Sequence, residues 1–140
     1  MNFFEAGQKI VKRLESLDIG LKKVEFIRTI LDVKTSKQTT PAAYVVYQGH
    51  RVVDTAGRGK RSKMAQKYTI VVAVSNAASQ TQVLEMLGDA GALIPYVVNS
   101  IAGWQPTEHH SPMLPTGMDK VWLDTAFSYY PFTFETTFTL

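Results

Sequence analysis

Residues Phe127–Leu140 read FSYYPFTFETTFTL. Successive side chains of an extended chain point to opposite faces, which puts Tyr130, Phe132, Phe134, Phe138 and Leu140 on one side and Thr133, Glu135, Thr137 and Thr139 on the other. A period of two is the mark of a half-buried strand. A slip of one residue would turn Tyr130, Phe132, Phe134 and Phe138 to the other face, so the pattern also fixes the register. Pro131 has no N–H for a ladder, which predicts an edge strand or a bulge at that point.

Working back from this strand, two more segments are rich in β-branched and aromatic residues: Ala42–Gln48 (AAYVVYQ) and Gln66–Ser75 (QKYTIVVAVS). With Gln48-Gly49-His50 read as a turn, they form a hairpin with an extended connection over Arg51–Lys63. Leu21–Phe26 reads as a short strand, Ile27, Ile30 and Leu31 as a helical turn or irregular crossing, and another short strand is expected near Lys120–Leu123. Lys34–Thr40 is a polar loop ending before Pro41, which disfavours helix at the residue before it. Thr107–Asp119, rich in Pro, His and Gly, is a second loop.

Two segments carry helical spacing. Phe3, Gly7, Ile10, Val11, Leu14 and Leu17 recur at steps of three and four, with Lys9, Lys12, Arg13 and Glu15 opposite, and Asp18 to Gly20 supplies the stop. Over Ala77–Ile101 the apolar positions are Val83, Leu84, Leu87, Ala90, Leu93, Ile94, Val97 and Ile101, with Ser79 and Thr81 as caps. Pro95 is expected to kink or split this helix near Leu93, and Gly88 and Gly91 to weaken it. Gly103-Trp104-Gln105-Pro106 ends it. The order α-β-β-β-α-β predicts an α+β two-layer sandwich, a mainly antiparallel sheet with two main helices on one face, in a single domain over 1–140.

Composition narrows the function classes. A hydrophobic fraction of 45% and a charged fraction of 19% suit one folded core in 140 residues. The absence of cysteine excludes disulfides and thiolate metal sites. Charges within Met1–Leu17 interrupt any signal-peptide core, and no run of about eighteen apolar residues occurs, so the chain is expected in the cytosol, or a particle assembled there, with no membrane partner. The formal charge of +3 is unevenly spread: residues 1–67 hold fourteen Lys/Arg against six Asp/Glu, and residues 68–140 one Lys against six acids. Opposite halves suit head-to-tail contacts between copies, unless the charges interleave on folding.

Candidate chemistry is sparse. His109 and His110 follow Glu108, but adjacent side chains on an extended chain diverge and make a poor metal site. No HExxH, GxSxG, phosphate loop or strand-borne GxGxxG occurs, and no helix pattern follows Gly57-Arg58-Gly59-Lys60. No catalytic, cofactor-binding or metal-ligating residue is assigned, and the chain reads as no enzyme. The strongest charge signal is Arg51–Lys67, where Arg51, Arg58, Lys60, Arg61, Lys63 and Lys67 face only Asp54. It marks a loop facing DNA or an acidic partner, or an ordinary solvated loop.

Several phrases, in order, resemble one family: Pro41-Ala42-Ala43-Tyr44-Val45-Val46 after a polar loop, Gln66 to Val74, the glycine-bearing helix, Ile101-Ala102-Gly103-Trp104-Gln105-Pro106, and Tyr129-Tyr130-Pro131-Phe132-Thr133-Phe134-Glu135. Together they are similar to the tail terminator, or tail completion, proteins of long-tailed bacteriophages and prophages. The resemblance implies a virion protein that forms a ring, a hexamer, capping the tail tube, ending its polymerisation and offering the surface on which the head docks. It implies the tail tube protein and the head–tail connector protein as partners, assembly in the host cytoplasm, a place in the virion tail, and no catalytic residue or cofactor. Neither Arg51–Lys63 nor His109–Asp119 matches a family phrase. In a tube that passes DNA, Arg58, Lys60, Arg61 and Lys63 are expected to line the lumen, in non-specific contact with DNA, or to meet a partner. The last strand, through Tyr129, Phe132, Phe134 and Phe138, is expected to make subunit contacts, since an edge strand offers unpaired backbone groups. The alternatives are a nucleic-acid-binding module using the basic hairpin 51–67, and a small ferredoxin-like ligand-binding domain using His109 and His110.

Overall fold

The computed structural model describes residues 2–35, 39–75, 80–117, 119–123 and 126–140, with backbone alone at 30, 34–35, 80–89 and 123. The elements are α1 (Glu5–Glu15), β1 (Lys23–Ile27), α2 (Ile30–Thr35), β2 (Ala42–Ala56), β3 (Arg61–Ser75), α3 (Gln80–Ile101), β4 (Leu114–Pro115), β5 (Trp122–Leu123) and β6 (Phe127–Thr139). The strands form one six-stranded sheet in the order β1-β2-β3-β6-β4, with β5 also on β6. Only β1 and β2 run parallel, joined across α2; the other pairs are antiparallel. This is the α+β architecture expected from the pattern.

β3 is central because its sequence suits burial on both faces. Tyr68, Ile70, Val72 and Val74 point to one side and meet Ala43 and Val45 of β2, Phe134 of β6, the α1 stripe Ala6, Ile10 and Leu14, and Ala90, Leu93, Val97 and Ile101 of α3. Val71 and Ala73 point to the other side, where Ile27, Val33, Ala42, Tyr44, Val46 and Tyr129 close a second, smaller core. The two main helices therefore share one face, and short α2 reaches the other through Val33. Arg13 ties the helices together: its Nε donates to the Ser100 carbonyl and its guanidinium lies 4.8 Å from the Trp104 ring centroid.

Five expectations are corrected. The turn at Gln48-Gly49-His50 is a bulge within a strand that continues to Ala56, and the loop expected over Arg51–Lys63 is mostly strand. Each strand continues because the other supplies its backbone partners, a tertiary effect that overrides local turn propensity. Thr107–Asp119 contains β4. α3 is one helix through Pro95, which lies exposed on it, so the proline does not split the element. Lys34 and Thr35 belong to α2. Fifth, β6 is not the sheet edge, as its outer side carries β4 and β5. The Ser79 cap lies outside the described residues, as do the side chains of Thr81, Val83, Leu84 and Leu87.

Candidate functional site

Two strands overshoot the core and build an arm. β1 pairs with β2 only as far as Ile27 opposite Val46, so from Gly49 to Ala56 β2 has β3 on one side and no strand on the other among the described residues. β6 follows β3 as far as Thr139 opposite Lys63. The arm is thus three-stranded at its base and two-stranded at its tip. The tip is the turn over residues 57–60, closed by the Lys60 amide donating to the Gly57 carbonyl at 3.3 Å. Gly57, Arg58 and Gly59 have φ of 62°, 60° and 87°. Glycine enters this left-handed region freely, whereas Arg58 does so at some expense.

Register decides where the charges go. The pairing shifts between Tyr47 and Gly49 and again between Val52 and Asp54, leaving Gln48 and Val53 as bulged residues. Gly49 has φ of 114°, so the first bulge needs a residue without Cβ. After these shifts Lys67 lies opposite Gly49 and Glu135, Ala65 opposite Arg51 and Thr137, Lys63 opposite Asp54 and Thr139, and Arg61 opposite Ala56. Directly opposed residues share a face. Arg51, Arg61, Lys63 and Lys67 therefore project from one face of the arm, among Thr137 and Thr139, with Asp54 and Glu135 as its acids. Arg51 Nη2 donates to Glu135 Oε1 at 2.8 Å. Arg58, Lys60, Arg61, Lys63 and Lys67 are exposed, and among the described residues none makes an ion pair. A shallow groove of about 200 Å³ crosses the base of this face, lined by Gly49, Arg51, Ala65, Lys67 and Glu135 with Gln48 and His50 at its rim.

The opposite face of the arm is apolar and aromatic. Phe3 lies edge-on to Tyr47, His50 and Phe138, with ring centroids 5.3–6.3 Å apart. Tyr47 stacks on His50, and its hydroxyl lies 2.5 Å from His50 Nδ1. Gln66, fully buried, donates from Nε2 to the Phe3 carbonyl at 2.9 Å and accepts the Tyr68 hydroxyl at 3.3 Å. Burial pushes both tyrosine hydroxyls above their ordinary range, keeping them neutral donors. Val52 on this face and Leu140 at the chain end are 55% and 62% exposed.

Four aromatic positions on β6 are expected to make subunit contacts. Tyr129, Phe134 and Phe138 are buried within this chain, and only Phe132 keeps partial exposure. The outer backbone of β6 is also held. The Ser111 amide donates to the Thr137 carbonyl and the Thr116 amide to the Thr133 carbonyl, at 2.8 and 2.9 Å. Ser111 Oγ accepts the Thr137 amide and Asp119 Oδ2 the Thr133 amide, both at 2.8 Å. Among the described residues, β2 from Gly49 to Ala56 carries no strand on its outer side. The two histidines separate: His109 is exposed beside Glu108, and His110 is buried, its Nδ1 2.6 Å from Thr107 Oγ1 and its Nε2 without a partner among the described residues. Sequence reasoning missed the capping roles of Ser111, Thr116 and Asp119, which no local signal announces.

The family model for the phage tail terminator protein matches residues 1–140. The chain belongs to that family. A tail terminator is a structural protein of the phage tail, and this one is placed accordingly among virion proteins. Among solved structures, a chain of the virion of a native gene transfer agent particle is similar in fold, with a TM-score of 0.60 and 11% identity, covering 99% of this chain and all of the other. No curated protein matches this tail terminator in sequence. The basic arm is a feature of the chain's own residues, and nothing in these comparisons assigns it a role.

Proposed function

We propose that the chain forms a ring, of six copies, at the end of the phage tail tube, where it stops tube growth and presents the surface on which the DNA-filled head docks. The observation that carries this reading is the match of the terminator family over the full 140 residues. The physical features agree with it. A ring needs two different faces on each subunit, and this chain has an arm that reaches beyond its own core and halves of opposite charge. We assign the copy-to-copy contact to the free β2 edge from Gly49 to Ala56 and to the apolar side of the arm, where Val52 and Leu140 are exposed, with Phe132 the one β6 aromatic of the four available to join it. The tail tube protein and the head–tail connector are the partners below and above the ring, and assembly takes place in the host cytoplasm. Catalysis has no part in this role. Tube polymerisation with and without the purified chain tests the proposal: tubes of limited length are expected with it and overlong tubes without it, and equal length distributions would refute it.

A further inference from the structure

We propose that the basic face of the arm, built by Arg51, Arg61, Lys63 and Lys67 and extended by Arg58 and Lys60 at the tip, is a binding site for the phosphate backbone of nucleic acid, engaged without reading bases. The inference rests on the ring reading only for where the site would sit, beside the passage taken by the genome; the binding chemistry stands on the face itself.

The bulge at Gln48 brings β2 onto this face: without it, Arg51 and Gly49 would not share the side of Lys67 and Arg61, while the later bulge at Val53 adds Asp54 beside Lys63. Arg61, Lys63 and Lys67 lie on the same side of one strand, Arg61 and Lys63 about 7 Å apart and Lys63 and Lys67 about 13 Å apart, so each can meet a separate phosphate. Arg51 is oriented by Glu135, and Gly49 leaves the groove between Arg51 and Lys67 unfilled, since a Cβ there would meet nothing within 4 Å. Counting Asp54 and Glu135 against the six cations leaves the arm face strongly positive.

The alternative occupant is an acidic protein surface, and the chemistry of the face argues against it. Protein interfaces place apolar and aromatic side chains at their centre. On this arm such exposed groups, Val52 and Leu140, lie away from the basic face, which has Thr137 and Thr139 among its charges. Polar, cationic and hydroxyl-bearing surfaces are what nucleic-acid backbones select.

The test is fluorescence anisotropy of two labelled duplexes of unrelated sequence with the full chain, from about 50 to 300 mM NaCl, with sedimentation run in parallel. Both duplexes are expected to bind equally at low salt, with affinity falling steeply as salt rises. The triple variant R61A/K63A/K67A is expected to keep the wild-type circular dichroism and melting profile, bind at least 10-fold more weakly, and show a log–log salt slope shallower by about 2–3. No binding by the wild type at 50 mM salt, unchanged affinity in the triple variant, or competition by polyglutamate as effective as by DNA at equal charge would each overturn the site. Sedimentation separates the two readings. A variant that assembles like the wild type but loses DNA supports the site and leaves the ring untouched; a wild type that binds DNA but never assembles supports the site and removes the ring.

Discussion

Gly7 shows how much one missing side chain does. It lies inside α1 on the core face, and a Cβ there would stand 2.5 Å from a ring carbon of Phe26 and 2.8 Å from one of Tyr68. Tyr68 is fully buried, so it has little room to retreat. Gly7→Val is expected to destabilise the fold by about 2 kcal/mol through overpacking, seen as a lower urea midpoint; Gly7→Ala loses less, since it regains about 1 kcal/mol of helix propensity. His110 carries a second residue-scale consequence. Burial, the largest influence, lowers its pKa from 6.5, with His109 acting in the same direction and Glu5 opposing it. Below that pH the unfolded chain takes up a proton that the folded one resists. His110 thus contributes nothing pH-dependent above about 6.5, and the fold loses stability as pH falls below it. The stability of His110→Gln relative to wild type, from urea titrations at several pH values, is expected to stay flat from pH 7.5 to about 6.5 and to improve as pH falls from there toward 5; a constant difference over the whole range would contradict the assignment. In the sequence, Gly7 was legible as a core-face position and His110 only as half of a doubtful pair, because burial of a loop histidine depends on which strand the loop crosses.

At the scale of elements, the arm is the part the sequence concealed. The alternation of β6, the apolar run in β3 and the α1 stripe were all legible, because each repeats a pattern that a buried face imposes. Gln48-Gly49-His50 carries the residues of a turn, yet it forms a bulge: Gly49 satisfies a left-handed φ that both structures need. Only pairing with β3 distinguishes them. The same holds for β6, where Pro131 suggested an edge: β5 pairs at Ser128 and Tyr129, β4 at Phe134 and Glu135, and Asp119 and Ser111 hold the Thr133 and Thr137 amides, all flanking Pro131 itself. The arm tip carries little of the core, since residues 51–61 are all exposed. Replacing Val53–Ser62 by an Asn-Gly turn is expected to keep the fold, with native-like near-ultraviolet circular dichroism, and to reduce assembly into rings. Loss of the near-ultraviolet signal would mean that the tip helps hold the core.

At the scale of the whole molecule, two cores on either side of one sheet hold the body, and the surfaces left over divide by chemistry. One side of the arm is cationic, the other apolar, and the β2 edge beside them is open. These are the surfaces that the proposed ring would use, in a chain of the terminator family. Salt should act on the two surfaces differently. Raising NaCl from about 50 to 300 mM is expected to release nucleic acid while leaving copy-to-copy contacts through Val52 and Leu140 largely intact, because charge is screened and apolar burial is not. The most direct measurement is electron cryo-microscopy of tail tubes assembled with this chain. A single six-fold ring of the chain at one end of each tube is the predicted result; density distributed along the tube wall, or tube ends that carry none of it, would contradict the account.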